Sequence, residues 1–296
     1  MINFLLILMA KILYFILKLC GKNGGNLIGK IPYILKPSIF KYFKIDCPVI
    51  AVTATNGKTM TNNAIANTFK TAGKIVVSNT EGNNMETGIL STIIKNSTIT
   101  GKVKADFLVF EVDEGYLPIV FKDLKLDTLV VLNFFRDQLD RNGETETLIL
   151  KIDNFLKNYN GNLLLNGNDP NVSRLAKSNP NNKNVYYFGV EQYKHATQEL
   201  KEAGEGKFCP FCNSRIEYEY YQYSHIGKFK CPKCDYGNHK FYKQATNVDL
   251  QKQTFKIDDI DYKIQFNSIY NVYNFTAVIA CASLYNIDTK SIQESV

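Results

Sequence analysis

Ala51-Val-Thr-Ala-Thr-Asn-Gly-Lys-Thr59 decides how this sequence folds. A β-branched run, Val49–Val52, leads into it, and a helix-forming stretch, Thr59–Ala72, leads out. Strand, loop and helix in that order are what a phosphate-binding loop requires. Backbone N–H groups at the turn and at the helix N-terminus present partial positive charge to an anion. Gly57 lets the backbone approach closely. Lys58 places a full charge on the β/γ-phosphates of a nucleotide, and the Thr59 hydroxyl can ligate Mg²⁺. The strict pattern G-x-x-x-x-G-K-[ST] wants glycine at 52, where this sequence has Val52.

The pattern continues outward. β-Branched runs at Lys74–Ser78, Phe107–Val112, Thr128–Leu132, Leu163–Leu165 and Val185–Phe188 alternate with candidate helices at Gly88–Asn96 and Glu146–Tyr159. Nearly continuous apolar strands alternating with helices predict an α/β fold, a mostly parallel sheet covered on both faces. Residues 201–243 break the pattern and read as an insertion rich in Gly, Lys, Tyr and Cys. Thr254–Ile264 then predicts a hairpin around Asp258-Asp259, and Tyr273–Tyr285 an apolar helix. The expected organisation is an N-terminal apolar segment (1–47), an α/β domain in two parts (48–200 and 244–296), and the insertion between them.

Composition agrees with a folded chain. Of 296 residues, 45% are hydrophobic and 21% charged, which excludes disorder and fibrous repeats as the main organisation. The net charge of +7 is diffuse, so it suits phosphate ligands or an anionic surface without marking a nucleic-acid protein. Met1–Cys20 is strongly apolar but interrupted by Lys11 and Lys18, which share one helix face. It reads as a helix that packs on its own protein or a partner, or that lies peripherally on the inner membrane surface. An uninterrupted apolar span of about 20 residues is absent. Gly21–Gly29 reads as the loop that ends it.

Seven cysteines include two tight pairs, Cys209-Pro-Phe-Cys212 and Cys231-Pro-Lys-Cys234, 18 residues apart. This is zinc-ribbon spacing in a reducing compartment, not a disulfide framework. Four thiolates close a tetrahedral, structural Zn²⁺ site. Tyr218, Tyr220, Tyr221, Tyr223 and Phe229 are expected to cover the ribbon. Glu217 and Glu219 interleave its lysines, so no nucleic-acid partner is expected. With four cysteines on the metal, His225 and His239 are expected at the surface. Glu111 ends an apolar strand, where open α/β sheets collect ligands, and Mg²⁺ is sufficient reason for it. Asp113 and Glu114 read either as solvated loop or as part of the site. Asp137 and Asp140 could face one way on a helical turn, or only pair with Arg136 and Arg141.

Four ordered motifs carry a family resemblance. Thr53-Ala-Thr-Asn-Gly-Lys-Thr-Met-Thr61 resembles the T-G-T-N-G-K-T-T-T loop of the Mur ligases and folylpolyglutamate synthases. Phe110-Glu-Val-Asp-Glu114 resembles the strand-end acidic motif whose glutamate helps hold Mg²⁺. Asn133–Gly143 resembles N-x-x-x-D-H-x-D-x-x-G, with Gln138 in place of the metal-binding histidine. Ser268-Ile-Tyr-Asn-Val-Tyr-Asn274 resembles G-x-x-N-x-x-N, whose first asparagine contacts adenine. Asn166-Gly-Asn-Asp-Pro170 is similar to the family's N-x-D-D-P turn, and Lys151 lies out of register with its carbamylated lysine.

The resemblance implies a Mur-ligase-type central ATPase domain with an inserted four-cysteine zinc ribbon. It implies ATP and Mg²⁺ at Thr55, Asn56, Gly57, Lys58, Thr59 and Asn271, with Lys58 and Glu111 catalytic and Thr59 and Glu111 on the magnesium. Phe135–Glu144, Glu111–Glu114 and the cysteine module together resemble one branch, the MurT-like subunits of lipid II isoglutaminyl synthase. That branch implies a cytoplasmic ligase for peptidoglycan synthesis. It would amidate the D-glutamate α-carboxylate of the lipid II stem peptide, with ammonia from a GatD-type glutaminase partner. A Mur or folylpolyglutamate-type ligase that adds an amino acid, and a nucleotide-regulated binding protein, are the alternatives. The family's further C-terminal domain is not in this sequence.

Overall fold

The computed structural model describes residues 2–79, 83–135, 144–199, 206–237, 239–265 and 267–295. In chain order the elements are α1 (Ile2–Leu19), α2 (Leu27–Leu35), β1 (Val49–Thr53), α3 (Lys58–Thr71), β2 (Val76–Ser78), α4 (Glu86–Asn96) and β3 (Phe107–Glu111). There follow α5 (Leu117–Val120), β4 (Thr128–Val131), α6 (Glu144–Leu156), β5 (Asn162–Asn166), α7 (Pro170–Ser173) and β6 (Val185–Val190). Next come β7 (Glu217–Tyr223), β8 (Ile226–Lys230), β9 (Lys243–Asp249), β10 (Thr254–Ile257), β11 (Ile260–Lys263), α8 (Ile269–Leu284) and α9 (Thr289–Ser295).

One sheet runs β11-β10-β9-β6-β5-β4-β1-β3-β2. It is parallel from β2 to β9, and β10 and β11 add antiparallel to that edge. β1 is fully buried, and its residues alternate between two cores as a central strand must. Val49 and Ala51 join α1, α2, α4, α5 and α6 on one face. Ile50 and Val52 join α3 and α8 on the other. The sheet is therefore helix-covered on both sides, as the β-branched runs predict. The hairpin forms at Asp258-Asp259, both at positive φ (51° and 61°), the two-residue turn whose twist matches its strands.

The structure corrects two boundaries and adds a strand. The loop after α1 ends at Asn26, because Leu27–Leu35 is helical despite Gly29 and Pro32. Gly29 is the crossing point with α4: a Cβ there would stand 2.2 Å from the Thr87 carbonyl, and its N–H donates to Ser91 Oγ at 2.7 Å. The apolar helix starts at Ile269, a turn before Tyr273, so Asn271 and Asn274 lie on its first turns. β9 follows the insertion directly and pairs parallel with β6.

Helix α1 docks through Leu6, Ile7 and Ala10, and Lys11 Nζ donates to the Ile94 carbonyl at 2.7 Å. Most of its other apolar side chains are exposed. By length and composition alone it could cross a membrane.

Candidate functional site: a phosphate loop beside a cysteine ribbon

β1 is the strand at which the connections change direction: β3 pairs on one side of it and β4 on the other. Such a switch point leaves a crevice at the C-terminal strand ends, and the loop 54–57 leaves β1 into it. Gly57 has φ +85°, and a Cβ there would lie 2.8 Å from the Asn274 amide. Both the handedness and the contact require glycine.

The loop is clamped by its neighbour. Thr55 N donates to the Asn133 carbonyl at 3.0 Å, and Asn56 N to Asn133 Oδ1 at 2.9 Å. Asn133 Nδ2 returns a bond to the Asn56 carbonyl at 2.9 Å, and Phe135 N donates to Thr55 Oγ1 at 3.0 Å. The first asparagine of the third motif thus shapes the loop. The rest of that motif, including Arg136, Asp137, Gln138, Asp140 and Arg141, lies outside the described residues. Lys151 is on α6 with an exposed side chain.

Lys58 opens α3. Its Nζ donates to the Ala54 carbonyl at 2.7 Å and stands 3.6 Å from Glu114 Oε2. Thr59 is exposed on the same first turn. Glu114 is buried, which raises its pKa, and the Lys58 charge opposes the rise. Glu114 is therefore part of this site, not a solvated loop residue, while Asp113 caps a turn through Gly115 N at 3.0 Å. The pairing with Lys58 joins distant stretches of chain, and only the acidic motif itself hints at it.

Glu111 pairs in register with Val52, at the end of β3, and is 2% exposed. Asn84 Nδ2 donates to its Oε1 at 3.1 Å, and Asn79 brackets its backbone with two bonds. Its Oε2 is buried with no hydrogen-bond partner among the described residues. An unpartnered buried carboxylate oxygen costs energy unless a cation meets it, so the residues fit a divalent ion. Asn271, 7% exposed, lines the same side of the loop and donates from Nδ2 to Ser268 Oγ at 2.7 Å.

The four cysteines converge. Their sulfurs lie within 4.8 Å of one another, with Cys209–Cys234 at 3.6 Å and Cys212–Cys231 at 3.4 Å. A tetrahedron of Zn–S bonds of about 2.3 Å has edges of about 3.8 Å, so the set fits zinc. Each knuckle closes through a left-handed residue, Asn213 and Gly237. Lys233 N points at Cys231 Sγ from 3.5 Å. The cover is Ile216, Phe229 and Tyr236, with Tyr218 beside them. Tyr223 does not belong to it and packs with the main sheet's second core instead.

The ribbon hairpin β7–β8 is bolted to the sheet by the turn after β5. Asn168 Nδ2 donates to the Gly227 carbonyl at 3.1 Å, and Gly227 N to the Asn168 carbonyl at 2.9 Å. Asp169, fully buried, caps α7 through Asn171 N at 2.8 Å and accepts from Phe134 N at 3.1 Å. Its Oδ1 is 3.3 Å from His225 Nε2. The turn is thus a three-way joint, more than local turn chemistry. The surface expectation fails for both histidines. His225 is 1% exposed between Asp169 and the Phe135 ring. His239 stacks on Tyr187 at 4.2 Å, and burial pushes it down to about 4.

Known proteins are similar to this chain. A family model described as the Mur ligase middle domain matches residues 52–282. The chain is 30% identical over 276 residues, 92% of its length, to the "Lipid II isoglutaminyl synthase (glutamine-hydrolyzing) subunit MurT" of Staphylococcus aureus. It is 31% identical over 290 residues, 95% of its length, to the subunit of the same name from Streptococcus pneumoniae. It spans 61% and 62% of those relatives' lengths. A pseudomurein peptide ligase type C from Methanothermus fervidus superposes with TM-score 0.69 at 27% identity, over 91% of this chain and 53% of that one. MurF from Acinetobacter baumannii, 15% identical with TM-score 0.57 over 87% of this chain and 47% of its own, shares the fold alone. With the phosphate loop, the strand-end glutamate and the α8 asparagines inside the matched stretch, the chain belongs to the Mur ligase family.

Proposed function

We propose that this chain is the ATP-using part of a peptidoglycan ligase that amidates the D-glutamate α-carboxylate of lipid II. The observation that carries the reading is the clamped Gly57–Lys58–Thr59 loop beside Glu111, whose buried Oε2 lacks a partner among the described residues. The N–H groups at the start of α3 and Lys58 would hold the triphosphate of ATP. Thr59 and Glu111 would hold Mg²⁺, which supplies charge neutralisation on the phosphates. The substrate carboxylate oxygen attacks the γ-phosphorus and ADP leaves, giving an acyl phosphate. Ammonia then attacks the carbonyl carbon, a proton is released, and phosphate departs as the amide forms. The chain's own contribution is positioning and electrostatics. Glu114 holds the Lys58 ammonium ahead of phosphate arrival.

The names of the relatives support the amide product and a partner subunit. We assign that partner to a GatD-type glutaminase, place the complex in the cytoplasm, and assign α1 to the inner membrane face or the partner. The ribbon would carry structural zinc. A second reading, addition of an amino acid, draws on the pseudomurein peptide ligase. Mass spectrometry of lipid II tests both, after incubation with the chain, Mg-ATP and either ammonium or an amino acid, with and without the glutaminase. Replacement of one hydroxyl by an amino group, with ADP formed, is expected. A mass gain of an amino-acid residue would replace the first reading by the second. Lys58→Ala is expected to abolish either product.

A further inference from the structure

A cavity of about 480 Å³ opens beside the phosphate loop, between Asn56 and Met60 on one side and Asn271 on another. Gly57, Asn133 and Asn274 line it too, and its aromatic wall is Phe135, Tyr223 and Tyr270. Tyr223 is the last residue of β7. It therefore reaches the cavity from the tip of the same hairpin whose open end carries both cysteine knuckles.

The tip is held in place. The Tyr223 ring stacks on Phe135 at 6.0 Å and 26°, with Tyr270 edge-on at 6.5 Å and Tyr273 edge-on at 5.8 Å. Two residues on, His225 is buried against Phe135 and Asp169. One turn of chain thus joins the ribbon, the β4 exit and α8 around a single opening next to Lys58. Its chemistry is that of a purine pocket: flat π faces, with a few amide side chains such as Asn56 and Asn271 to meet the ring edges.

We propose that the cysteine insertion supplies part of the nucleotide site: Tyr223, with Tyr270, forms the aromatic wall on which the base of the bound nucleotide packs. The inference rests on the reading of the Gly57–Thr59 loop as an ATP site, and it adds a binding element that comes from the ribbon. Stacking on an aromatic face is felt by the base and not by the phosphates, so the two halves of the ligand report separately.

The test is equilibrium binding of Mg-ATP and, separately, of Mg-tripolyphosphate to the full chain and its Tyr223→Ala, Tyr223→Phe and Tyr270→Ala variants. Tyr223→Ala is expected to weaken ATP by about tenfold or more and to leave tripolyphosphate unchanged. Tyr223→Phe keeps the ring and keeps ATP affinity. Tyr270 is exposed, so its removal does not threaten the fold, and it is expected to weaken ATP alone and by less. Parallel loss of both ligands in Tyr223→Ala, with Tyr270→Ala neutral, would make the tyrosine structural and overturn the proposal. ATP binding the wild type no better than tripolyphosphate would also overturn it. Wild type that binds neither ligand removes the ATP-site reading and the base wall with it.

Discussion

The phosphate loop and the cysteine knuckles are both short turns shaped to meet an ion, yet they are held in opposite ways. The loop is fixed by the protein: Asn133 gives Asn56 two side-chain hydrogen bonds, and Gly57 rests against Asn274. Its Thr55 and Asn56 amides are already engaged by Asn133, so the shape of the turn is set before any anion arrives. The knuckles rest on a cluster of five buried residues, two of which are the cysteines themselves. Burying a side chain such as Phe229 contributes about 2 kcal/mol. Ordering each residue of the surrounding turns costs about 1–2 kcal/mol. A ribbon so thinly cored would depend on a metal held by its four sulfurs, whereas the loop keeps its shape without a ligand.

Zinc removal gives the largest effect and tests the contrast directly. Structural zinc contributes on the order of 10 kcal/mol, so a chelator should release one zinc per chain and melt the ribbon. The chain has no tryptophan, so near-ultraviolet dichroism of the ribbon tyrosines follows the melting. The Thr55 and Asn56 amides should keep slow hydrogen exchange. If they lose protection together with the ribbon, the two turns are one cooperative unit and the contrast is broken.

Asn133→Ala attacks the other side. It leaves the Asn56 N–H and carbonyl without partners and should cost about 2 kcal/mol in chemical unfolding. ATP affinity should fall while zinc content stays at wild-type level. Acid supplies a third effect, of similar size, at the base of the ribbon. His239 titrates near 4 when folded, against 6.5 for an ordinary histidine. The unfolded chain takes up the proton first, so stability is complete above pH 6.5 and falls as pH drops toward 4. About 2 kcal/mol should be lost over that window, discounted from the full shift because the ring is only partly buried. His239→Phe should flatten that part of the urea-unfolding profile and so separate it from thiolate protonation. Smallest is Lys228→Ala. The Lys228–Glu219 pair on the hairpin measures 2.8 Å, but both side chains are mostly exposed. Melting should move by the equivalent of about 0.5 kcal/mol or less.

Much of this was legible in the residues. The β-branched runs and Gly57-Lys58-Thr59 locate the sheet, its crossover helix and the loop between them, because period and turn chemistry are local. The C-x-x-C pairs locate a cluster of four converging sulfurs for the same reason. What was hidden depends on partners far along the chain. Gly29 looks like a loop residue until Thr87 is seen filling the space of its missing Cβ. His225 looks like surface until Asp169 and Phe135 close over it. Glu114 reads equally as solvated loop or site until Lys58 stands beside it. Tyr223 looks like ribbon cover, but it follows a register shift near the tip of β7 and packs on Phe135 and Tyr273.

Asn274 has a consequence for how the protein is made. Its side chain abuts Gly57 and reaches Met60 Sδ at 3.8 Å, across a sequence separation of 214 residues. It sits on α8, thirteen of whose sixteen residues are buried against the sheet and α3. A growing polypeptide leaves the ribosome in order, so β1 and α3 are out long before that helix exists. Until α8 emerges, one face of the sheet lacks its lid and the phosphate loop lacks its backstop. The phosphate loop is thus completed only once α8 has been made, and until then the waiting strands are a stretch of nascent chain in need of protection from aggregation.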